Sequence, residues 1–448
     1  MSVLAAALSC TFATPVLAQD AQPTAQEELD QMRAELRALV SRIDMLEAQL
    51  ADAQATPVQQ QQDPLDTTEI TQGTVPPQAE PAPVSALEQS DGWSFEPRGR
   101  LMFDAGFTDA PDSADADDGF GNEVRRARLG ASGDLPGGFG YKFELDFAGN
   151  EVEAADAFLS YDDGPLGIIV GQHNNFQSLE ELSSSLHTSF IERAAFTDAF
   201  GFQRRLGVSA TYANGIVLAQ AGIFTDNIDE TGSDNRGADG RLVVMPKLGD
   251  ALLHLGGSLH YNELGEDDAS VRYRQRPLVH FTSTRFVNTG NLDAESEFGA
   301  GLEAALIAGP LHFASEGFWQ TVDTPLAAGD ATFFGGYLEA GYFLTPGDTR
   351  GYKGGKFDRV KPANPIGEGG FGSVQVNLRY DYLDLNDNGV IGGIQRGYLA
   401  SLIWKPTDYT LFSVNYGKLD YSDAALAAAD ADRDYAVDAF GVRAQVDF

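Results

Sequence analysis

The sequence has too little cysteine, too few basic residues and too few long hydrophobic runs for several protein classes. Its single cysteine, Cys10, falls in a segment expected to be removed, which excludes disulfides, cysteine-ligated zinc, iron–sulfur clusters and thiol catalysis. Only 30 Lys+Arg stand against 66 Asp+Glu, and the net charge of −36 argues against nucleic acid as the main partner. The mean hydropathy of −0.22, with 49 glycines, excludes a bundle of apolar spanning helices.

Residues 1–18 have the pattern of a secretory signal peptide. An apolar run at residues 3–18 ends in small residues before the polar Gln19, so we expect cleavage after Ala18. No basic residue precedes Arg33, so the usual positive start is missing, and a start codon assigned too late would explain this. A lipid anchor on Cys10 is the less favoured alternative, because no leucine stands three residues before it.

Residues 19–50 are predicted to form a coiled-coil helix. Apolar residues recur there at alternating steps of three and four, the a/d pattern of about three heptads, at Leu29, Met32, Leu36, Leu39, Ile43, Leu46 and Leu50. One helix does not bury so narrow a stripe alone, which favours self-association over packing on its own domain. Residues 51–91, rich in Gln, Pro, Ala and Thr, are predicted to be a disordered linker.

From residue 92 to the C-terminus the apolar period changes to two, which is typical of β-strands. In the last segment Phe440, Val442 and Val446 lie on one face, with Arg443 and Asp447 on the other. Such alternation fits either a half-exposed sheet or a transmembrane barrel with a polar lumen. Sixteen strands are predicted, near 97–107, 123–132, 140–148, 153–162, 166–172, 204–212, 215–224, 240–247, 251–262, 296–307, 310–320, 333–344, 371–382, 396–404, 409–419 and 438–448.

The connections between these strands favour the barrel over a soluble β-sandwich. Short turns such as Asp163-Gly164-Pro165 and Gly309-Pro310 alternate with mostly longer polar loops. This sorting of loop lengths is the pattern of outer-membrane barrels, and a sandwich has no reason to show it. We therefore predict an all-β fold, a sixteen-stranded antiparallel transmembrane β-barrel over residues 92–448, preceded by the short N-terminal coiled-coil helix.

Three connections are longer than the rest, at 173–203, 263–295 and 345–370, and the last lies on the side of the short turns. We expect them to fold into the lumen and to narrow it to a selective channel. Two of them contain clusters of basic residues although the whole chain is acidic. Their candidate anion-binding residues are Arg272, Arg274, Arg276 and Arg285 in the second connection, and Lys353, Lys356, Arg359 and Lys361 in the third.

The spacing of Arg272, Arg274 and Arg276 suits the passage of anions. In extended backbone the three side chains project from one face, about 7 Å apart. Guanidinium groups match phosphate or carboxylate oxygens, and several equivalent sites let an ion move on. Arg126 and Arg128, on the polar face of a strand, are predicted to extend this basic track along the wall. The alternative is that all these charges neutralise neighbouring acids.

No enzyme motif occurs in the sequence. It has no G-x-S-x-G elbow, H-E-x-x-H helix or phosphate-binding loop, so we predict neither catalysis nor a cofactor. Asp384–Gly389 matches the opening of an EF-hand calcium loop, but position 12 is Gln395, so a turn-rich loop is predicted. Glu180, Glu181 and Glu192 are predicted to pair with Arg193 and neighbouring arginines rather than to form a carboxylate site.

Several short motifs occur together in the body of the chain: NEVRRARLG from Asn122, GQHNNFQSLEELSSS from Gly171, FIERA from Phe190, GYFLT from Gly341, FDRV from Phe357, YDYLD from Tyr380, and the terminal Phe448. With them, residues 92–448 resemble the phosphate-selective porin O and P family of outer-membrane channels. The resemblance implies a homotrimer of sixteen-stranded barrels with loops in the lumen. It also implies an arginine ladder leading to a central phosphate site, placed here at Arg272, Arg274 and Arg276.

We therefore expect a porin in the outer membrane of a Gram-negative bacterium, in contact with lipid and lipopolysaccharide. Inorganic phosphate or other small anions would diffuse through it passively. Because lysines are few and the outer loops acidic, a general or cation-tolerant pore is the first alternative. The second is an envelope tether, in which the barrel mainly anchors the coiled coil.

Overall fold

The computed structural model describes residues 92–149, 151–230, 234–265, 269–325 and 329–448. The predicted signal peptide, coiled-coil helix and linker of residues 1–91 lie outside the described residues. No helix within the described ranges has the length and hydropathy needed to cross a membrane.

Sixteen antiparallel strands form one closed barrel, because the first strand pairs with both the second and the last. Each predicted strand overlaps an observed one, so the barrel is confirmed. A two-residue segment, Lys247–Leu248, adds to the pairing with the ninth strand. The strands are β1 (Glu96–Asp109), β2 (Gly119–Leu135), β3 (Phe139–Asp146), β4 (Glu153–Asp163), β5 (Leu166–Asn174), β6 (Arg204–Asn214), β7 (Val217–Phe224), β8 (Arg236–Val244), β9 (Ala251–Glu263), β10 (Ser296–Ala308), β11 (Leu311–Asp323), β12 (Ala331–Phe343), β13 (Ser373–Asp387), β14 (Val390–Thr407), β15 (Thr410–Ser422) and β16 (Tyr435–Asp447).

The two faces of the barrel wall differ in polarity, as the alternation predicts. In β16 and just after it, Phe440, Val446 and Phe448 are exposed on the outside, whereas Arg443 and Gln445 are buried inside. A continuous apolar outer surface is costly in water and stable in lipid. The wall is therefore built to contact a bilayer on its outside and polar groups on its inside.

The prediction of a turn-rich loop at Asp384–Gln395 is wrong. Strands β13 and β14 continue through this segment and are joined by Asn388 and Gly389 alone, with φ angles of 46° and 88°. Asn-Gly is the favoured sequence of a type I′ hairpin turn, which needs positive φ at both residues. Loop length therefore does not alternate at this point of the barrel.

Three long segments fill the lumen, and two of them meet from opposite ends. We name them L3 (175–203), L5 (264–295) and the strap (344–372). L3 contains two short helices, α1 (Leu179–Leu182) and α2 (Ala195–Ala199). The strap rises from the short-turn end as a small hairpin of Gly351–Lys353 and Lys356–Asp358.

Hydrogen bonds hold these segments to one another and to the wall. The N–H of Phe357 in the strap donates to Ser183 Oγ of L3 at 3.1 Å, and Arg350 donates to the carbonyl of His187 at 2.5 Å. The N–H of Ile191 in L3 donates to Asn415 on β15 at 3.1 Å. L3 therefore crosses the lumen, in agreement with the inward folding that its length predicts.

Candidate functional site

A cavity of about 1130 Å³ lies inside the barrel between the wall of β1–β6 and the three inner segments. Eleven arginine and lysine side chains and ten carboxylates of the described residues line it. The whole chain has more than two acidic residues for each basic one. Basic side chains are therefore concentrated at this cavity.

A β-bulge turns two consecutive arginines of β2 toward the cavity. Met102 pairs with Arg126 while the next residue, Phe103, pairs with Val124, so Arg125 is an extra residue in β2. Bulges re-aim side chains in this way. Strict alternation assigns Arg125 to the lipid face, so Arg125 was not among the predicted site residues. Its charge at a position predicted to face lipid is the feature that could have identified it.

Most of the cavity's arginines are neutralised by carboxylates. Arg128 contacts Asp146 at 2.7 Å and Glu144 at 3.0 Å, and Arg125 contacts Glu192 of L3 at 2.6 Å. The ion pair with Arg125 outweighs burial and lowers the pKa of Glu192 below its usual range. Glu192 therefore stays charged and joins L3 to β2.

The predicted pairing of the L3 carboxylates with arginines is confirmed. Arg193 contacts Glu181 at 3.3 Å, and Arg379 of β13 contacts Glu180 at 2.5 Å. Burial raises the pKa of Glu181, against the opposing charge of Arg193. These contacts fix L3 in place, so the carboxylates have a structural explanation and need no catalytic one.

Arg126 is the exception among these arginines. Its closest carboxylate is Asp146 at 3.7 Å, and Asp146 is already bound by Arg128 at 2.7 Å. Its guanidinium donates no hydrogen bond to any of the described residues, although its side chain is 16% exposed to the cavity. The charges of Arg125 and Arg193 also act on it. Arg126 is therefore a cation lining the cavity whose donors are not used in hydrogen bonds to the described residues.

The arginine row of L5 lies on one face of its segment, as predicted, because buried side chains alternate with it. Of the three, Arg276 reaches the cavity and lies 3.5 Å from Asp198 of L3. Arg272 and Arg274 are exposed beyond the cavity lining. The charges of these three arginines also act on Arg285. Together with burial, they lower the pKa of Arg285 to about 10.

The basic residues of the strap divide in the same way. Lys356 lines the cavity, and enclosure together with neighbouring cations lowers its pKa. Arg359 also lines it, but forms an ion pair with Asp447 at the end of β16. Lys353 and Lys361 are exposed and lie outside the lining residues.

Five of the ten predicted site residues thus surround one cavity, namely Arg126, Arg128, Arg276, Lys356 and Arg359. The other five lie elsewhere, namely Arg272, Arg274, Arg285, Lys353 and Lys361. Cavity cations that the predicted site left out are Arg98, Arg100, Arg125, Lys142, Arg193 and Arg204. Arg98, Arg100 and Lys142 lie on the polar faces of predicted strands, and this position could have identified them as lumenal. Arg193 and Arg204 lie in or beside a loop that has no periodic pattern, so their sequence positions carry no such indication.

The chain is similar to known proteins in sequence and in fold. It is 45% identical over 474 residues to an uncharacterized protein of Caulobacter vibrioides, with 99% of this chain and 95% of that protein covered. Its fold matches an anion-selective porin from Comamonas acidovorans with a TM-score of 0.52 and 14% identity, over 80% of this chain and 100% of that one. It also matches outer-membrane expressed OmpT of Vibrio cholerae, with a TM-score of 0.51 and 12% identity, over 80% and 99% of the two chains.

A protein-family model also matches this chain. The model of the phosphate-selective porin O and P family matches residues 95–448, which include all sixteen strands of the barrel. A closed barrel with an apolar outer wall and a polar lumen is what an outer-membrane channel requires. The chain therefore belongs to the phosphate-selective porin O and P family and is an outer-membrane porin.

Proposed function

We propose that this porin is an anion-selective channel, through which phosphate and other small anions diffuse passively past the arginines of β2. The observation that carries the proposal is Arg126, a cation in the lumen that donates no hydrogen bond to the described residues and lies 3.7 Å from a carboxylate already bound by Arg128. The phosphate-selective description of the family and the anion-selective porin among its structural neighbours support the same choice.

Charge around Arg126 favours an anion over a cation. The cations on this part of the cavity are Arg100, Arg125, Arg126, Arg128, Lys142, Arg193 and Arg204. The carboxylates that contact them are Glu144, Asp146, Asp156, Glu181 and Glu192. In this group cations outnumber carboxylates by seven to five, and a passing anion reduces the excess. Because most of the arginines also hold wall carboxylates, an anion binds here without being trapped.

The remaining predicted residues could guide an anion toward Arg126 and away from it. Arg272, Arg274 and Arg276 lead along L5 toward the cavity, with Arg285 beside them. Lys356 and Arg359 lie on the strap, which enters from the short-turn end. An anion would thus meet positive charge before, at and after Arg126, and several weak sites in a row allow conduction.

The test is the reversal potential of the purified porin in a planar bilayer under a KCl gradient. We expect anion selectivity and a chloride current that millimolar phosphate blocks, and we expect Arg126→Gln to weaken both. The matched control is Arg396→Gln, which removes the same charge from a residue outside the cavity lining. Cation selectivity of the unmodified protein, or equal effects of the two substitutions, would overturn the proposal.

One observation favours a cation-tolerant pore as the second candidate. Glu151, Glu153 and Asp229 are exposed and line the same cavity. If these acids govern permeation, the reversal potential has the opposite sign and neutralising Arg126 leaves it unchanged. The same measurement therefore separates the two functions.

We further propose a homotrimer with its wall in lipid and lipopolysaccharide, secreted through residues 1–18 and assisted by the coiled coil of 19–50. A trimer form of Vibrio cholerae OmpT, 13% identical with a TM-score of 0.50, is among the structural neighbours. Cross-linking of the protein with and without residues 19–91 tests this assembly. Loss of the trimer would give the coiled coil an assembly role. Loss of envelope attachment with normal conductance would instead support the tether.

A further inference from the structure

We infer that the solutes this porin prefers are organic anions with an apolar, ring-sized body, such as an aromatic carboxylate or an aryl phosphate. The inference rests on the proposed anion selectivity and names the solute class of the same cavity. It starts from a second surface in that cavity, opposite in chemistry to the arginines of β2.

The lumen wall carries an apolar patch where porin walls are usually polar. Phe158 of β4 and Ile169 of β5 both line the cavity and are partly exposed to it. Their outward neighbours, Leu159 and Val170, face lipid and are 60% and 52% exposed. Alternation in β4 and β5 therefore places apolar side chains on both faces, although only the lipid face requires them.

Aromatic rings continue this patch into L3. The ring of Phe158 lies 6.1 Å from that of His173, which lies 6.3 Å from Phe176. All three residues line the cavity. Phe158 pairs across strands with Gly171, so no side chain of β5 covers it at that position. Aromatic side chains attract another ring by edge and offset contacts. His173 and Phe176 are buried behind this patch, so an apolar solute would gain by covering the partly exposed Phe158 and Ile169.

The patch lies beside cations of the same cavity, close enough for one solute to touch both. Phe158 is directly opposite Lys142 of β3, and paired residues of neighbouring strands lie about 5 Å apart. Lys142 contacts Asp156 at 2.5 Å and Arg204 contacts the same carboxylate at 2.6 Å, so two cations share one acid two positions from Phe158. This spacing suits an acidic head joined to a single ring. Inorganic phosphate has no group to place on Phe158.

The size of the cavity agrees with an organic solute. Its volume of about 1130 Å³ is slightly above the roughly 300–1,000 Å³ found for small-molecule sites, so an organic solute has room in it. Such sites combine mostly apolar walls with a few placed polar groups, whereas this one adds an apolar patch to a charged wall. A solute with both characters makes use of the whole cavity.

The experiment compares block of the chloride current by matched pairs of anions: benzoate against acetate, and phenyl phosphate against inorganic phosphate. Covering about half of a ring predicts roughly tenfold stronger block by the aromatic member of each pair. Phe158→Ala should remove this preference and leave block by acetate and phosphate unchanged. The control is Leu159→Ala, one residue away on the lipid face.

Each outcome decides between this inference and the proposed function. Equal block by both members of each pair would overturn the inference while anion selectivity stands. A porin that selects cations would overturn the proposed function as well. If Phe158→Ala does not fold, the solute pairs on the unmodified protein still decide. Preference for benzoate alone, or for phenyl phosphate alone, would identify the acidic head.

Discussion

Arg379 of β13 fixes L3 to the far wall of the barrel, and replacing it with methionine should release the loop. Its guanidinium donates to Glu180 of L3 at 2.5 Å and to Glu339 of β12 at 2.6 Å. It also lies 4.5 Å from the ring centroid of Phe190 in L3. The side chains of Arg379, Glu180 and Glu339 are 2%, 6% and 3% exposed. Methionine keeps a long apolar side chain here but leaves two buried carboxylates without their cation.

The free-energy cost of replacing Arg379 is large compared with the free energy that the contacts of one loop contribute. Removing one partner of a buried ion pair costs about 3–5 kcal/mol. A cost of about 3 kcal/mol lowers the ratio of docked to released L3 about 150-fold. Burial raises the pKa of Glu180, against the opposing charge of Arg379. Without Arg379 this pKa rises further, so protonation competes with release of the loop. We therefore expect release at neutral pH and recovery of docking in acid.

Single-channel recording of Arg379→Met at neutral and acid pH measures this effect, with limited proteolysis of L3 alongside. At neutral pH the variant should conduct more, fluctuate more and be cut faster in L3, and acid should reduce all three differences. The matched control is Glu180→Gln, which leaves Arg379 paired with Glu339 and should change little. Conductance and cleavage equal to those of the unmodified protein at both pH values would refute the reasoning.

Three further predictions concern charge, pH and backbone. Glu192→Gln removes the partner of Arg125 and should raise the anion-to-cation permeability ratio about fivefold in the reversal potential; no rise would contradict the assigned cation surplus. Burial and neighbouring cations lower the pKa of His187 to about 3, so its neutral form stabilises the fold above about pH 6.5. That stability should fall by up to about 1.4 kcal/mol per pH unit below this value, and His187→Gln should flatten the fall in thermal unfolding curves. Gly389→Ala should cost about 1 kcal/mol in denaturant unfolding, because φ is 88° and no atom lies close enough to clash with a new methyl group. An unchanged midpoint would show that the turn tolerates a side chain.

Strand positions were predictable because alternation is a local property of each segment. An apolar residue at every second position faces lipid in any barrel, whichever strands lie beside it. Strand ends were less predictable. Polar composition suggested a loop at Asp384–Gln395, but strands that extend beyond the bilayer are polar on both faces. Only pairing between β13 and β14 distinguishes the two cases, and it depends on the turn at Asn388 and Gly389.

The site was predictable in kind but not in its members. The clusters of basic residues in L5 and in the strap were visible in the sequence, and five of the ten predicted residues line the cavity. Arg125 was missed because one bulge between β1 and β2 reverses the face of a residue. A bulge depends on the register of two strands, which single-strand alternation does not contain.

The sequence by itself determined the class of fold, the number of strands and which long connections carry clusters of basic residues, because these follow from local patterns. Only the tertiary structure decided which charges meet. L3 brings Glu192 to Arg125 across 67 positions of sequence, while the neighbouring Arg126 donates no hydrogen bond to the residues that the structure describes. Coulomb energy depends on the distance between charges and on the solvent around them. Neither is defined until the barrel has closed and the loops have folded inside it.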